Sequence, residues 1–181
     1  MARLPGGHDL SDKQKRVQSI MAEKPSNLHY IPVDFTEDGW ELKLTACPVF
    51  EQNKISFCSL LGMCYYLPKQ TFTRMISIIL NIVPKGSSIV FDYPDEDTYT
   101  SKAGERIKKQ VAMAAAANEK MLAGYSYLEL EQLLGDSNFL IYEHLTPKQI
   151  TEQFFEKYNQ SNPQHPITAF DNVNYCLAVK G

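Results

Sequence analysis

Three short clusters carry the side chains best suited to holding a polar ligand. They are Asp34 with Phe35, Gly62 with Tyr65 and Tyr66, and Asp92 with Tyr93 and Asp95. Each follows an apolar run of strand length: LHYIPV (28–33), ISFCSLL (55–61) and SSIVF (87–91). In open parallel sheets, ligands bind beyond the carboxyl ends of the strands, which is where these clusters fall. Asp34 suits a hydrogen bond from a ligand amine or hydroxyl, with Phe35 packed on a ring; its alternatives are to cap a helix beginning after Asp38 or to stay solvated. Gly62 lets a ligand approach the backbone, or merely ends its strand in a turn. Tyr65 and Tyr66 either line a pocket or pack beside the sheet, and Asp92 either binds a polar substrate or caps the next segment.

Other chemistries lack their signatures. The four histidines, His8, His29, His144 and His165, have no metal-ligand spacing, and His29 and His144 read as structural or surface residues. Cys47, Cys58, Cys64 and Cys176 form no CxxC pair, so reduced thiols in a cytoplasmic protein are expected rather than zinc or a disulfide framework. There is no GxSxG elbow and no P-loop. Gly6-Gly7 makes a poor phosphate cradle, because only residues 1–4 precede it where a strand belongs.

The elements that must position the three clusters follow from periodicity. Ser11 and Gln14 form a capping box that opens a helix to about Glu23. LHYIPV (28–33) is a short strand, with Pro32 tolerated near its end or at an edge. Residues 39–44 are a short helix, and 55–61 are the next strand. Pro68 fits a first helical position, and Phe72, Met75, Ile76, Ile79, Leu80 and Val83 then recur at three- and four-residue steps. Pro84-Lys85-Gly86 stops that helix, and 88–93 are a third strand. A long helix spans roughly 101–122. Ser126 and Glu129 form a second capping box, with Gly135 at the position just past the helix end. FLIYE (139–143) is a fourth strand. Thr146-Pro147-Lys148-Gln149 opens a helix to about Tyr158, and NVNYCLAV (172–179) is the final strand. Strands alternating with helices make this an α/β chain.

A length of 181 residues suits one domain, 1–181. Apolar residues at 44% and charged ones at 22% are those of an ordinary globular protein. A net charge of −3 argues against nucleic acid as a partner, and the cluster Lys13-Gln14-Lys15-Arg16 reads as a solvated helix face. The longest nearly apolar run, 55–67, is short for a membrane span of roughly 20 residues. With no apolar leader segment in MARLPGGHD, a soluble cytoplasmic protein with no membrane partner is expected.

The order VDF (33–35), LLGMCYYLPKQ (60–70), GSSIVFDY (86–93) and NYCLAV (174–179) resembles S-adenosylmethionine-dependent methyltransferases of the leucine carboxyl methyltransferase-like group. The resemblance runs over about 11–180 and is strongest over 27–93. It implies a class I, Rossmann-like fold: three layers, a mostly parallel sheet with helices on both faces, and an antiparallel last strand. It also implies O-methylation of a carboxylate or hydroxyl on a small molecule or peptide. By this likeness Asp34 and Phe35 contact the adenine of S-adenosylmethionine, Leu60, Leu61 and Gly62 approach its methionine part, and Tyr65 and Tyr66 border the substrate. Asp92 and Tyr93 complete the substrate side.

Methyl transfer is an in-line displacement that a protein promotes largely by positioning, so no nucleophile or metal is required and none is assigned. Two departures stand out. Leucine occupies position 61, commonly acidic in relatives. MARLPGGHDL replaces the Gly-rich first-strand turn and the acidic second-strand end, with His8-Asp9 as a relic of the latter. The sheet is therefore expected to be incomplete on its N-terminal side and the cofactor site partial. Three arrangements would follow: LHYIPV paired directly with ISFCSLL, a second copy or a complementing chain in the gap, or a chain that is part of a longer protein. The competing functional readings are an inactive remnant serving as a binding or assembly subunit, and an unrelated nucleotide-binding α/β protein.

Overall fold

The computed structural model describes residues 15, 17–20, 25–117 and 120–181. The capping box at Ser11, Gly6-Gly7 and His8-Asp9 lie outside them. Lys15 and residues 17–20 are helical, in keeping with the expected first helix.

After a short helix α1 (Trp40–Thr45) come strand β1 (Phe57–Leu60), a tight 3₁₀ turn (Cys64–Tyr66) and helix α2 (Lys69–Ile82). Strand β2 (Ser88–Pro94), helix α3 (Glu105–Ala116) and helix α4 (Tyr127–Asp136) follow. Strand β3 (Phe139–Leu145) leads into α5 (Pro147–Ile150), which runs through a π-helical stretch (Thr151–Phe155) into α6 (Glu156–Ser161). Strand β4 (Val173–Lys180) closes the fold. The sheet order is β1-β2-β4-β3. β1 and β2 are parallel, while β4 is antiparallel to both β2 and β3. The mixed sheet with an antiparallel last strand thus has the expected class.

Local chemistry explains most element ends. Pro68 precedes α2, whose Phe72, Met75, Ile76 and Ile79 are buried at three- and four-residue spacing. Gly86 then turns the chain with φ 85°, where L side chains are strained. The Ser126 hydroxyl accepts from the Glu129 amide to start α4. At Thr146 both halves of the capping box are present.

Four expectations need correction. Residues 28–33 are not a strand: they take no regular structure. Among the described residues β1 pairs only with β2, so LHYIPV has no neighbouring strand, and Pro32 lacks an amide to donate. The strand expected over 55–61 is limited to Phe57–Leu60, and the helix expected over 101–122 to Glu105–Ala116. Gly104 lies just before that helix because a Cβ there would come within 2.7 Å of the Asp171 side chain. Gly135 is inside α4, not past its end; Asn138, at φ 53°, makes the left-handed turn instead.

Alternation along the strands divides the sheet into two faces. On one, Ile89, Phe91, Cys176 and Ala178 pack under α2 and α4 in a single core with Phe72, Met75, Ile76, Leu130 and Leu134. The opposite face carries Phe57, Val90, Leu177 and Tyr175, flanked by the helical run from Pro147. A bulge between Ile141 and Glu143 shifts the register of β3 by one, so Glu143 and Leu145 line up with Leu177 and Tyr175 on this second face. Among the described residues no helix is long and apolar enough to cross a membrane.

Candidate functional site

The tips of the parallel strands β1 and β2 converge on one carboxylate. Asp92, buried near the end of β2, accepts a hydrogen bond from the Gly62 amide at 2.6 Å and one from the Tyr65 hydroxyl at 3.0 Å. A residue leaving β1, a residue of the turn beyond it and a residue of β2 are thereby tied together. Gly62 adopts φ 70°, and a Cβ added there would meet nothing within 4 Å, so its backbone faces open space. Leu61 beside it is exposed, while Leu60 is buried in the core. Burial raises the Tyr65 pKa above the ordinary phenol range, and the Asp92 charge and hydrogen bond raise it further. Tyr65 is therefore a neutral donor that holds Asp92, not a base.

The segment after α3 crosses over this cluster. The Leu122 amide donates to the Tyr65 carbonyl at 2.7 Å, and the Tyr125 amide donates to the Pro94 carbonyl at 2.9 Å. Asp95, read with Asp92 from the sequence, serves the fold instead. Its carboxylate accepts from the Asp97 amide, the Thr98 hydroxyl and both oxygens' contacts with the Asn172 side-chain amide.

Asp34 and Phe35 lie on a loop before α1. The Asp34 carboxylate accepts from the Thr36 amide at 2.9 Å and the Thr36 hydroxyl at 2.6 Å, and these bonds lower its pKa. It closes its own turn; α1 begins at Gly39 without a side-chain cap, so the helix-capping alternative does not hold. Phe35 meets Trp40 edge to face with centroids 4.9 Å apart. Val33 and Phe35 pack against the same core that contains Leu60, and Arg74 of α2 anchors the loop through Asp38 and the Glu37 carbonyl. Asp34 is half-buried, and its hydrogen bonds go to Thr36 rather than to the Asp92 cluster.

Tyr66 and Tyr93 part company with Asp92. Tyr66 lines an open cleft of about 520 Å³ with Arg106, Lys109, Met113 and Phe170. Arg106 is held over the Phe170 ring at 4.6 Å and donates to the Thr168 and Ala169 carbonyls. Tyr93 points to the other face of the sheet, where its hydroxyl lies 2.6 Å from His144 Nε2. Burial lowers the His144 pKa and so favours the neutral ring, whose tautomer decides which of the two atoms donates. In the sequence His144 reads as a structural or surface residue, and Arg106 and Lys109 carry no site signal. Nothing in the spacing of those residues links them to Tyr93 or Tyr66, because the contacts join segments 40 or more residues apart.

Residues 8–80 match the family model described as leucine carboxyl methyltransferase. Over 172 residues the chain is 38% identical to a Bacillus subtilis protein described as an S-adenosyl-L-methionine-dependent methyltransferase, YktD, with 93% of this chain and 53% of that protein covered. The sequence is leucine carboxyl methyltransferase-like. Its fold is that of the S-adenosylmethionine-dependent methyltransferases that it resembles. Among solved structures, a DUF574 family protein from Streptomyces avermitilis superposes with a TM-score of 0.63 at 12% identity, over 94% of this chain and 63% of that one. Magnesium protoporphyrin IX methyltransferase from Synechocystis, in a crystal structure holding S-adenosylhomocysteine, gives 0.54 at 11% identity, over 94% and 59%. At such identities these structures speak to the fold alone. The chain spans about half the length of the curated relative that it matches.

The matched methyltransferase stretch contains Asp34, Phe35, Leu60, Leu61, Gly62, Tyr65 and Tyr66, whereas Asp92 and Tyr93 fall beyond it. The open backbone at Gly62, fixed from behind by Asp92, fits the close approach of a methionine-like group. Among the described residues no second carboxylate is tied into the cluster to receive ribose hydroxyls, so the fit to the cofactor is partial.

Proposed function

We propose that this chain is the rear part of an S-adenosylmethionine-dependent O-methyltransferase. Its acceptor is a carboxylate or hydroxyl, and the chain alone turns over little or not at all. The observation that carries the reading is the Gly62–Asp92–Tyr65 cluster at the tips of two parallel strands. Asp92 fixes the peptide after Leu61, so that Leu60, Leu61 and Gly62 present their backbone to the methionine end of the cofactor. Asp34 and Phe35 take the adenine from the neighbouring loop, and Tyr65, Tyr66 and Asp92 border the acceptor, while Tyr93, on the other face, does not. When bound, S-adenosylmethionine supplies a methyl group on a sulfonium, already activated for displacement. The chain's own part is to orient donor and acceptor and to keep water out. Arg106 and Lys109 beside Tyr66 favour the carboxylate among the acceptors, because two cations there offset its charge. The buried thiols of Cys64 and Cys176, each pushed up to about 12 by burial, suit a reducing cytoplasmic setting.

Calorimetry with S-adenosylhomocysteine tests this reading. The chain is expected to bind with measurable heat, Asp34→Ala is expected to abolish it, and Asp92→Asn is expected to weaken it about tenfold, or about 1.4 kcal/mol. Asn cannot accept from both Gly62 and Tyr65 in the way that a carboxylate does. A second reading is an inactive remnant acting as an assembly subunit, favoured by the edge of β1, which is unpaired among the described residues. Absence of heat from a folded chain that forms a stable homodimer would support it. Binding of another nucleotide in place of the cofactor would point to an unrelated α/β protein.

A further inference from the structure

Thr36, Glu37 and Asp38 are exposed, yet the backbone around Asp34 is tied down on several sides. The Glu37 amide donates to the Asp34 carbonyl at 3.1 Å and closes a turn. From α2, Arg74 donates through Nη2 to the Glu37 carbonyl at 2.9 Å and through Nη1 to the Asp38 carboxylate. A planar guanidinium fork that spans a carbonyl and a carboxylate fixes direction as well as distance. On the inner side, Phe35 meets the buried Trp40 edge to face.

The Asp34 carboxylate itself is held by one oxygen. The Thr36 amide and the Thr36 hydroxyl both donate to Oδ1, and among the described residues Oδ2 has no partner. A carboxylate tied in this way keeps acceptor capacity for one further donor in a set direction. The amino group of adenine is such a donor. The oxo group of hypoxanthine is not, because it brings lone pairs against the negative oxygen. The helix that supplies Arg74 begins just after the turn bearing Tyr65, and its Phe72, Met75, Ile76 and Ile79 are seated in the main core. One packed helix therefore links the Asp34 loop to the Gly62–Asp92–Tyr65 cluster.

We propose that Thr36 and Arg74 are positioning residues for selection of the base. Thr36 fixes Asp34 by Oδ1 so that Oδ2 accepts from the adenine amino group, and Arg74 holds the loop in register with Gly62. Both act through Asp34 rather than on the cofactor. The inference rests on the methyltransferase reading, which puts adenine at Asp34 and Phe35.

The test is calorimetry with S-adenosylhomocysteine and with S-inosylhomocysteine, in which an oxo group replaces the amino group. The parent is expected to prefer the adenine ligand by about tenfold or more, since a site built around an acceptor rejects a ligand that lacks the donor. Thr36→Val and Arg74→Met are each expected to weaken the adenine ligand about fivefold and to leave the inosine ligand nearly unchanged, because what is lost is preorganisation toward the amino group. Thr36→Ser keeps the hydroxyl and is expected to restore the preference. Melting curves are expected to stay those of the parent, because exposed ion pairs contribute little to stability. A readout that needs no cofactor is hydrogen exchange of the Glu37 amide, which is expected to quicken in Arg74→Met. Unchanged exchange there, equal weakening of both ligands, full preference in the variants, or Thr36→Ser behaving as Thr36→Val would each overturn the positioning role and leave the methyltransferase reading standing. A parent chain that binds the two ligands equally well would do the same. A parent chain that binds neither overturns that reading and this inference together.

Discussion

Neighbouring residues of β2 live in different surroundings. Phe91 is fully buried, 5.3 Å from Phe72 and 6.2 Å from Tyr93 between ring centroids, beneath α2 and α4. Val90 faces the other way, half-buried in an open groove beside the exposed Phe57. The first face has its helices in sequence next to its strands: α2 connects β1 to β2, and α4 leads into β3. The second face has a smaller core, where Tyr65 and Val173 pack with Ile107 and Ala114 of α3, and beside it a groove walled by Phe154 and Phe155. The main core of the chain therefore lies on one face, while the other is only partly covered.

The largest effect that separates the faces is expected from Phe72→Ala. Phe72 is fully buried among Phe91, Tyr125 and the apolar residues of its own helix. Removing it leaves a cavity that close-packed neighbours fill only in part, with an expected loss of about 3–5 kcal/mol in urea unfolding. A loss under about 1 kcal/mol would mean that this core is not what holds the sheet together.

The same asymmetry governs what was legible in the sequence. α2, α4 and the strands β1 to β4 are readable because each buries one side in the core, which imposes a period of two or of three to four. The cap at Thr146 was readable because its chemistry is contained within four residues. LHYIPV has the composition of a strand, but a strand also needs a neighbour, and composition says nothing about whether one is present. Asp92, Gly62 and Tyr65 were each singled out, yet their union was not foreseeable: Gly62 and Asp92 are thirty residues apart, and only the parallel register Leu60↔Phe91 brings them together. The Tyr93–His144 contact was hidden for a further reason. The bulge before Glu143 turns His144 to the covered face, against simple alternation from the start of β3.

That contact gives the next effect, smaller and dependent on pH. Folding holds His144 below its ordinary value of 6.5 because burial disfavours the charged ring. The unfolded chain then binds the proton more readily than the native one. Stability from this group is fully present above pH 6.5 and is lost as pH falls from there through the lower native value. One proton limits the slope to about 1.4 kcal/mol per pH unit, and partial solvent access reduces it further. Thermal unfolding followed between pH 7.5 and 5 (roughly the window where a perturbed histidine titrates) is expected to show this slope in the parent and a flatter one in His144→Gln. An equal slope in both would assign the acid sensitivity to carboxylates rather than to the covered face.

The smallest effect is the most informative about the open face. Phe57 and Phe72 are the same residue type, and both sit next to β2, but Phe57 has solvent where Phe72 has a core. Replacing Phe57 by Lys removes little packing from the chain alone, and surface changes of this kind stay within about 0.5 kcal/mol. Lysine on a free edge also discourages strand addition, so the variant is expected to be at least as soluble as the parent. The measurement is a urea curve for Phe57→Lys beside that for Phe72→Ala. Equal losses would show that the groove closes on itself in solution; a null result at position 57 beside a large one at 72 confines the stabilising core to the face beneath α2 and α4.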